Sequence, residues 1–374
     1  MPGSRSRGDV VRAILQVLAA LVVLVAVRWS VTGGISRPMV APASTTPEPT
    51  VAVPLDPPPR IQTAAGTRLW LGGRQPAVVD PASGSLRRMA PPAGQDMVVF
   101  RQGSFTVLVA DGHAWAVLAS RAGPRRLLGP ALLALPAVTA DRVWLVNMRV
   151  ALPEQRYGLV EVGLADGRRH ASWTLPYQVV PVAVLRSGVL AYDLEGDLVV
   201  VAPGSGKVRT LLAHHATFLD VRAGRVAWLA GALLYVRDLA RKTTTVVAPP
   251  PASAGWYGAG TPVSWAGCCY GLGAFDSGGR WLAVYTNLAG PRSPGLAVVD
   301  LADGRAALLA GSEDVTPTGG QPSLGWASTG WLFFFAAGPT TAVAAWRPGE
   351  RTAGLVWLDA DRAFDTIPRA LAPN

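Results

Sequence analysis

The chain has 374 residues, 50% of them hydrophobic and 16% charged, with a net charge of +10 and two cysteines. That apolar fraction excludes a wholly disordered chain, and two cysteines exclude a small scaffold stapled by disulfides. Its basic residues are arginines apart from Lys207 and Lys242; this is the bias of a GC-rich coding genome, and their scatter argues against a nucleic-acid partner.

In chain order, residues 13–27 form the one long uncharged apolar segment, running from Ala13-Ile14-Leu15 to Val25-Ala26-Val27. With Val10 and Val11, and with Arg12 snorkelling at its end, it approaches the ~20 residues that cross a bilayer. Arg5, Arg7 and Arg12 precede it against one acid, Asp9. The positive-inside rule therefore places residues 1–12 in the cytoplasm and everything after the segment outside. A cleavable signal peptide has a similar core. Arg28-Trp29 follows this one directly, and small residues spaced for cleavage come only at Ala41-Pro42-Ala43, which favours an uncleaved anchor over 13–30. Residues 31–60 are rich in Gly, Ser, Thr and Pro, ending in Asp56-Pro57-Pro58-Pro59. Such a segment buries no core and reads as a disordered, semi-rigid spacer.

From 61 to 370 one unit recurs seven times: an apolar strand, a small turn, a second strand, a turn, a third strand. The second of these turns centres on Gly84, Gly123, Gly167, Gly206, Lys242 (in Ala240-Arg241-Lys242), Gly304 and Gly349. Successive centres are 39, 44, 39, 36, 62 and 45 residues apart, about the 44 of a propeller blade. Glycine supplies the positive φ that tight hairpins need. Ahead of the turns lie Arg68-Leu69-Trp70-Leu71, Ser104 to Val109, Arg142-Val143-Trp144-Leu145, Gly188 to Tyr192, Arg225-Val226-Ala227-Trp228, Arg280-Trp281-Leu282 and Gly330-Trp331-Leu332-Phe333. Shorter apolar stretches such as Val98-Val99-Phe100, Val182 to Leu185 and Phe218 to Val221 precede some of them and read as a fourth, innermost strand. The expectation is an all-β, seven-bladed β-propeller with four-stranded blades. A tryptophan repeated at one place in several blades reads first as packing between sheets.

The one long departure from the period is the 62-residue interval between units 5 and 6. Its excess falls in Pro249 to Gly258 and Ala266 to Gly271, and it carries Trp256, Tyr257, Trp265 and Tyr270, amphipathic aromatics of the kind used at interfaces. These four are the candidate binding residues. Cys268-Cys269 is the candidate redox pair: either a strained vicinal disulfide, which ordinary disulfide geometry disfavours, or one buried and one exposed thiol. Catalytic, cofactor and metal motifs are not found. His214 and His215 are neighbours, and side chains in a regular strand alternate faces, so a shared metal is not expected. Asp193-Leu194-Glu195-Gly196-Asp197 lacks the later ligands of a calcium loop and reads as a hairpin turn.

Phe275-Asp276-Ser277-Gly278-Gly279-Arg280-Trp281-Leu282-Ala283-Val284 resembles the F-S-P-D-G-R-W-L-A-F segment of TolB-like and prolyl-oligopeptidase-type propellers. Trp326 to Phe333 is a looser copy, and Asp300-Leu301-Ala302-Asp303-Gly304 is similar to the D-L-A-T-G turn of the same and related propellers. The family's Pro-Asp pair is missing here, and the Gly-His and Trp-Asp dipeptides of WD repeats do not recur. The resemblance implies a binding or scaffolding role at the cell envelope, with no cofactor. The expected partners are therefore a protein, a peptide or a cell-envelope ligand, besides the membrane itself. An exported enzyme of the quinone-dependent dehydrogenase or lactonase kind, with its site in the central channel, is the competing expectation. It would need convergent Asp, Glu, Asn or His side chains there.

Overall fold

Several strands of this chain, such as Gly188–Tyr192 and Leu198–Val201, are apolar along their whole length instead of alternating, and the fold gives the reason. A computed structural model describes residues 66–89, 97–120, 125–150, 156–202, 207–250, 263–265, 273–288, 295–309, 323–336, 342–350, 353–358 and 370–373. Its strands form seven antiparallel sheets. Each sheet is a blade covered on both faces by its neighbours, so inner strands such as Leu69–Gly72, Gly188–Tyr192, Leu198–Val201 and Ala342–Trp346 are buried. Outermost strands such as Ser85–Arg88 and Arg169–Thr174 face water and carry the polar residues. The architecture is a seven-bladed β-propeller with four-stranded blades.

Blades 2, 3, 4, 5 and 7 are each built from four consecutive strands, beginning with the innermost: Val98–Gln102, Leu133–Pro136, Val180–Leu185, Thr217–Arg222 and Leu324–Trp326. Blade 1 is a composite. Its second, third and fourth strands are Leu69–Gly72, Ala77–Asp80 and Ser85–Arg88, but its innermost strand is Ala370–Pro373, paired in the register Leu69↔Pro373 to Gly72↔Ala370. The two ends of the repeat array thereby share one sheet, and the ring closes through backbone hydrogen bonds. Blade 6 departs from the others because its innermost strand is in two pieces. Val263–Trp265 pairs with Thr286–Leu288, and Gly273–Phe275 pairs with Leu282–Val284.

The tryptophans fill the seams between blades. Trp70 is buried and donates its indole N–H to Ala119 O at 3.4 Å in blade 2. Trp144 lies with its ring centroid 4.1 Å from that of Trp173, and Trp228 stacks on Tyr235 at 5.7 Å. Polar ties cross other seams. Gln102 donates its amide to both Ala137 O and Thr139 O at 2.9 Å, and Trp326 donates to Ala274 O at 2.9 Å. Between the innermost strands of blades 5 and 6, Asp220 accepts the N–H of Phe275 at 2.8 Å.

Candidate functional site

Because the strands of a blade alternate in direction, its connections fall alternately on two faces of the ring. One face, the turn face, carries the links from first to second and from third to fourth strand. None of these exceeds the seven residues between Leu118 and Arg126 or between Trp346 and Gly354. The other, the loop face, carries the links from second to third strand and those from blade to blade. Here the chain spends nine residues between Arg88 and Val98, 15 between Val247 and Val263, 15 between Leu308 and Leu324, and 11 between Leu358 and Ala370. Every connection longer than seven residues is on this face.

The aromatic insertion separates into scaffold and loop. Trp265 belongs to the scaffold: it is buried in a core cluster with Leu219, Phe275 and Tyr285, and its indole N–H meets Val247 O at 3.4 Å. Trp256, Tyr257, Cys268, Cys269 and Tyr270 lie outside the described residues. What the described flanks establish is where their segments leave the scaffold. The outer strand of blade 5 ends at Val247 and the inner edge of blade 6 begins at Val263, both on the loop face. On that inner edge Trp265 pairs with Thr286 and Gly273 with Val284, so the two pieces end and begin on either side of a single partner residue, Tyr285. Tyr285 is fully buried, its hydroxyl is 2.8 Å from Ser323 Oγ, and burial pushes the phenol well above its ordinary pKa.

Two motifs that look separate in the sequence meet on the loop face of blade 4. Asp193 Oδ1 accepts the N–H of Glu195 and of Asp197, both at 3.0 Å, which makes the acidic stretch a hairpin turn. The buried Asp197 then reaches the start of the next blade: its Oδ2 lies 2.7 Å from His214 Nδ1, and its Oδ1 accepts the N–H of His215 at 3.0 Å. The His215 N–H, followed by His214, holds the Asp197 carboxyl below its usual pKa against the opposing effect of burial. The strand ends at Ala213 and His215 has φ 44°, so the alternation expected for a strand does not govern this pair. The imidazole of His214 is 71% exposed. The register Leu198↔Ala213, which puts Asp197 beside His214, is the signal that would have joined the motifs. Among the described residues no group of three or more His, Cys, Asp or Glu is placed to hold a metal ion.

The same face exposes the large apolar side chains Leu132, Met148, Tyr177, Val180 and Leu194, on blades 3 and 4 or the links into them. Arg149 and Arg156 stand exposed among them. Arg149 lies across the bare backbone of Gly158, where a Cβ would come within 2.4 Å of its Nε. The central channel is different. In all the described innermost strands the ionisable residues are Arg101, Asp220 and Arg222.

The molecule is thus a propeller with a tight face and a loop-bearing face, and the TolB-like resemblance read from its blade motif holds at the level of the fold. An oligogalacturonate lyase in complex with manganese is similar, with a TM-score of 0.51 and 12% identity over 76% of this chain and 87% of that one. A Mycobacterium tuberculosis puromycin-hydrolyzing peptidase has a TM-score of 0.50 and 14% identity; 81% of this chain is covered and 54% of that one. TolB from Acinetobacter baumannii has a TM-score of 0.43 and 10% identity, over 80% of this chain and 78% of that one. At these identities the likeness is one of fold alone. No family model and no curated protein matches the sequence. Among the described residues no helix is long and apolar enough to cross a membrane; the expected anchor, 13–30, lies outside them.

Proposed function

We propose that the chain is a membrane-tethered, outward-facing propeller that binds a protein, peptide or cell-envelope ligand through its loop face. The observation that carries this reading is the asymmetry of the connections: tight turns on one face and all the long links on the other. Rigid scaffolds present binding surfaces on such loops. Exposed Leu132, Met148, Tyr177, Val180 and Leu194 beside Arg149 and Arg156 support it, being apolar area and arginine of the kind enriched at interfaces. The tether rests on the apolar segment 13–27 and the basic residues before it.

The test is crosslinking or proximity labelling from the intact chain in cells, repeated after residues 249–261 are replaced by a short Gly-Ser linker. A dominant partner lost on replacement supports the reading. A partner list unchanged by this replacement, and by shortening of the loops at 310–322 and 359–369, overturns it. The tether is checked separately by N-terminal analysis of the mature protein. A start at residue 1 or 2 is expected, and a start after residue 30 refutes it.

A further inference from the structure

A polar group buried without a partner is costly, and a buried unpaired cation more so. Of the three ionisable residues on the innermost strands, Asp220 is committed to the N–H groups of Phe275 and Val221. Arg222 adds its charge nearby at the exposed end of the same strand. Arg101, on the innermost strand of blade 2, differs: its Nη1 is closed to solvent and has no hydrogen-bond partner. Directly opposite in the register stands Thr106, fully buried, whose Oγ1 is likewise closed and without a partner.

Their side chains project the same way. Val99 and Leu108, two residues along each strand and also opposite each other, pack with Trp70, Met97, Ala370 and Ala372 in the seam toward blade 1. Arg101 and Thr106 therefore face that seam, one residue pair short of the turn at Gly103-Ser104. Burial pulls the Arg101 pKa down, and no acid opposes that effect. Two unspent donors, one a guanidinium N–H and one a hydroxyl, match the two oxygens of a carboxylate. Further along the same seam the side chains are aliphatic and aromatic, among them Trp70, Met97, Val99 and Leu108.

We propose that Arg101 and Thr106 form a carboxylate-binding site at the turn-face end of the seam between blades 1 and 2, taking a small organic acid with an apolar body. Arg101 Nη1–H donates to one oxygen and Thr106 Oγ–H to the other, while the tail lies toward Val99, Leu108 and Met97. The site is on the face opposite the long loops and stands independently of the proposed docking surface.

Sodium hexanoate is the probe, with hexanamide, sodium phosphate and sodium chloride at matched ionic strength as controls, and thermal unfolding of the full chain as the readout. Hexanoate should raise Tm saturably, by about 4 °C at a hundredfold excess over Kd, and the controls should not. Arg101→Met should lose the hexanoate response, since it removes the half-buried guanidinium whose Nη1 has no partner. Thr106→Val should keep a response shifted about tenfold to higher concentration, the effect of one lost hydrogen bond. If Arg101→Met does not fold, the comparison of hexanoate with hexanamide on the wild type still decides. No hexanoate shift, an equal shift with hexanamide or phosphate, or an undiminished shift in Arg101→Met overturns the site.

Discussion

Asp220 ties the innermost strands of blades 5 and 6, and two substitutions separate what its hydrogen bonds contribute from what its charge costs. The carboxylate accepts Phe275 N–H at 2.8 Å and Val221 N–H at 2.7 Å. Hydrogen bonds to a charged group contribute about 1.5–3 kcal/mol each, but here the burial of the charge offsets part of the total. Asp220→Ala strands both N–H groups and should lower stability by about 2–3 kcal/mol. Asp220→Asn keeps one acceptor and loses the charge, so at neutral pH it should lie within about 1 kcal/mol of wild type. Burial raises the Asp220 pKa, with Arg222 and the two N–H groups opposing. The folded state therefore holds its proton more tightly than the unfolded chain does. The stability this contributes is complete below the ordinary carboxylate range, near pH 4, and is lost as pH rises through the folded-state pKa. Urea denaturation of the full chain at pH 4, 6 and 8 should show wild type losing ground to Asp220→Asn as pH rises, by about 1.4 kcal/mol per unit separating the two pKa values. A difference that is constant or grows the other way refutes the reasoning, as does an Asp220→Ala variant as stable as wild type.

Leu371 is 2% exposed at the centre of the closing strand. Leu371→Ala should cost about 2–5 kcal/mol in equilibrium denaturation, and hydrogen exchange should show Leu69–Gly72 opening with it. Asp197→Ala should release the segment around His214 and His215, read as loss of amide protection at His215 and new proteolytic cleavage there with little change in Tm. Since the Asp197 pKa is depressed, the wild-type tie should be present above the ordinary carboxylate range and weaken as pH falls through the lower folded-state value.

The blade period was legible because its punctuation is chemical. Gly84, Gly167, Gly304 and Gly349 all have positive φ, and where the fifth unit lacks glycine, Lys242 takes the same left-handed conformation at φ 58°. Asp80, Asp238 and Asp300 each cap two residues into the following turn. These are local events within a few residues of one another. The closing strand was not legible, because Ala-Leu-Ala-Pro is four residues long and its partner, Leu69–Gly72, is some three hundred residues away. The interrupted inner strand of blade 6 escaped for a similar reason. Trp265 sits among Gly and Pro like a loop aromatic, and only its pairing with Thr286 places it in the core. The meeting of Asp197 with His214 needed the register of two strands, and the orphaned Nη1 of Arg101 needed the packing of two blades.

The long links on the loop face are not demanded by the fold, and that strengthens their reading as functional. The same face crosses from blade 2 to blade 3 with two residues, Ala131-Leu132, and from blade 4 to blade 5 with three, His214 to Ala216. The ring therefore permits short crossings. Lengthening one from three residues to 15 costs about 1.4 kcal/mol of closure entropy, by the logarithmic dependence on loop length. A scaffold of marginal stability gains no closure from that cost. The four long links are moreover consecutive, running from the blade 5–6 crossing round to the blade 1–2 crossing, whereas Leu132, Met148, Tyr177, Val180 and Leu194 lie on blades 3 and 4 or the links into them. One ligand reaching both sectors would lie along the rim, where they adjoin at blades 2 and 5, or across the mouth of the channel; a smaller one would engage a single sector. Replacing the 249–261 segment and, separately, changing Tyr177 and Leu194 to serine distinguishes these cases, since only a spanning ligand loses affinity in both.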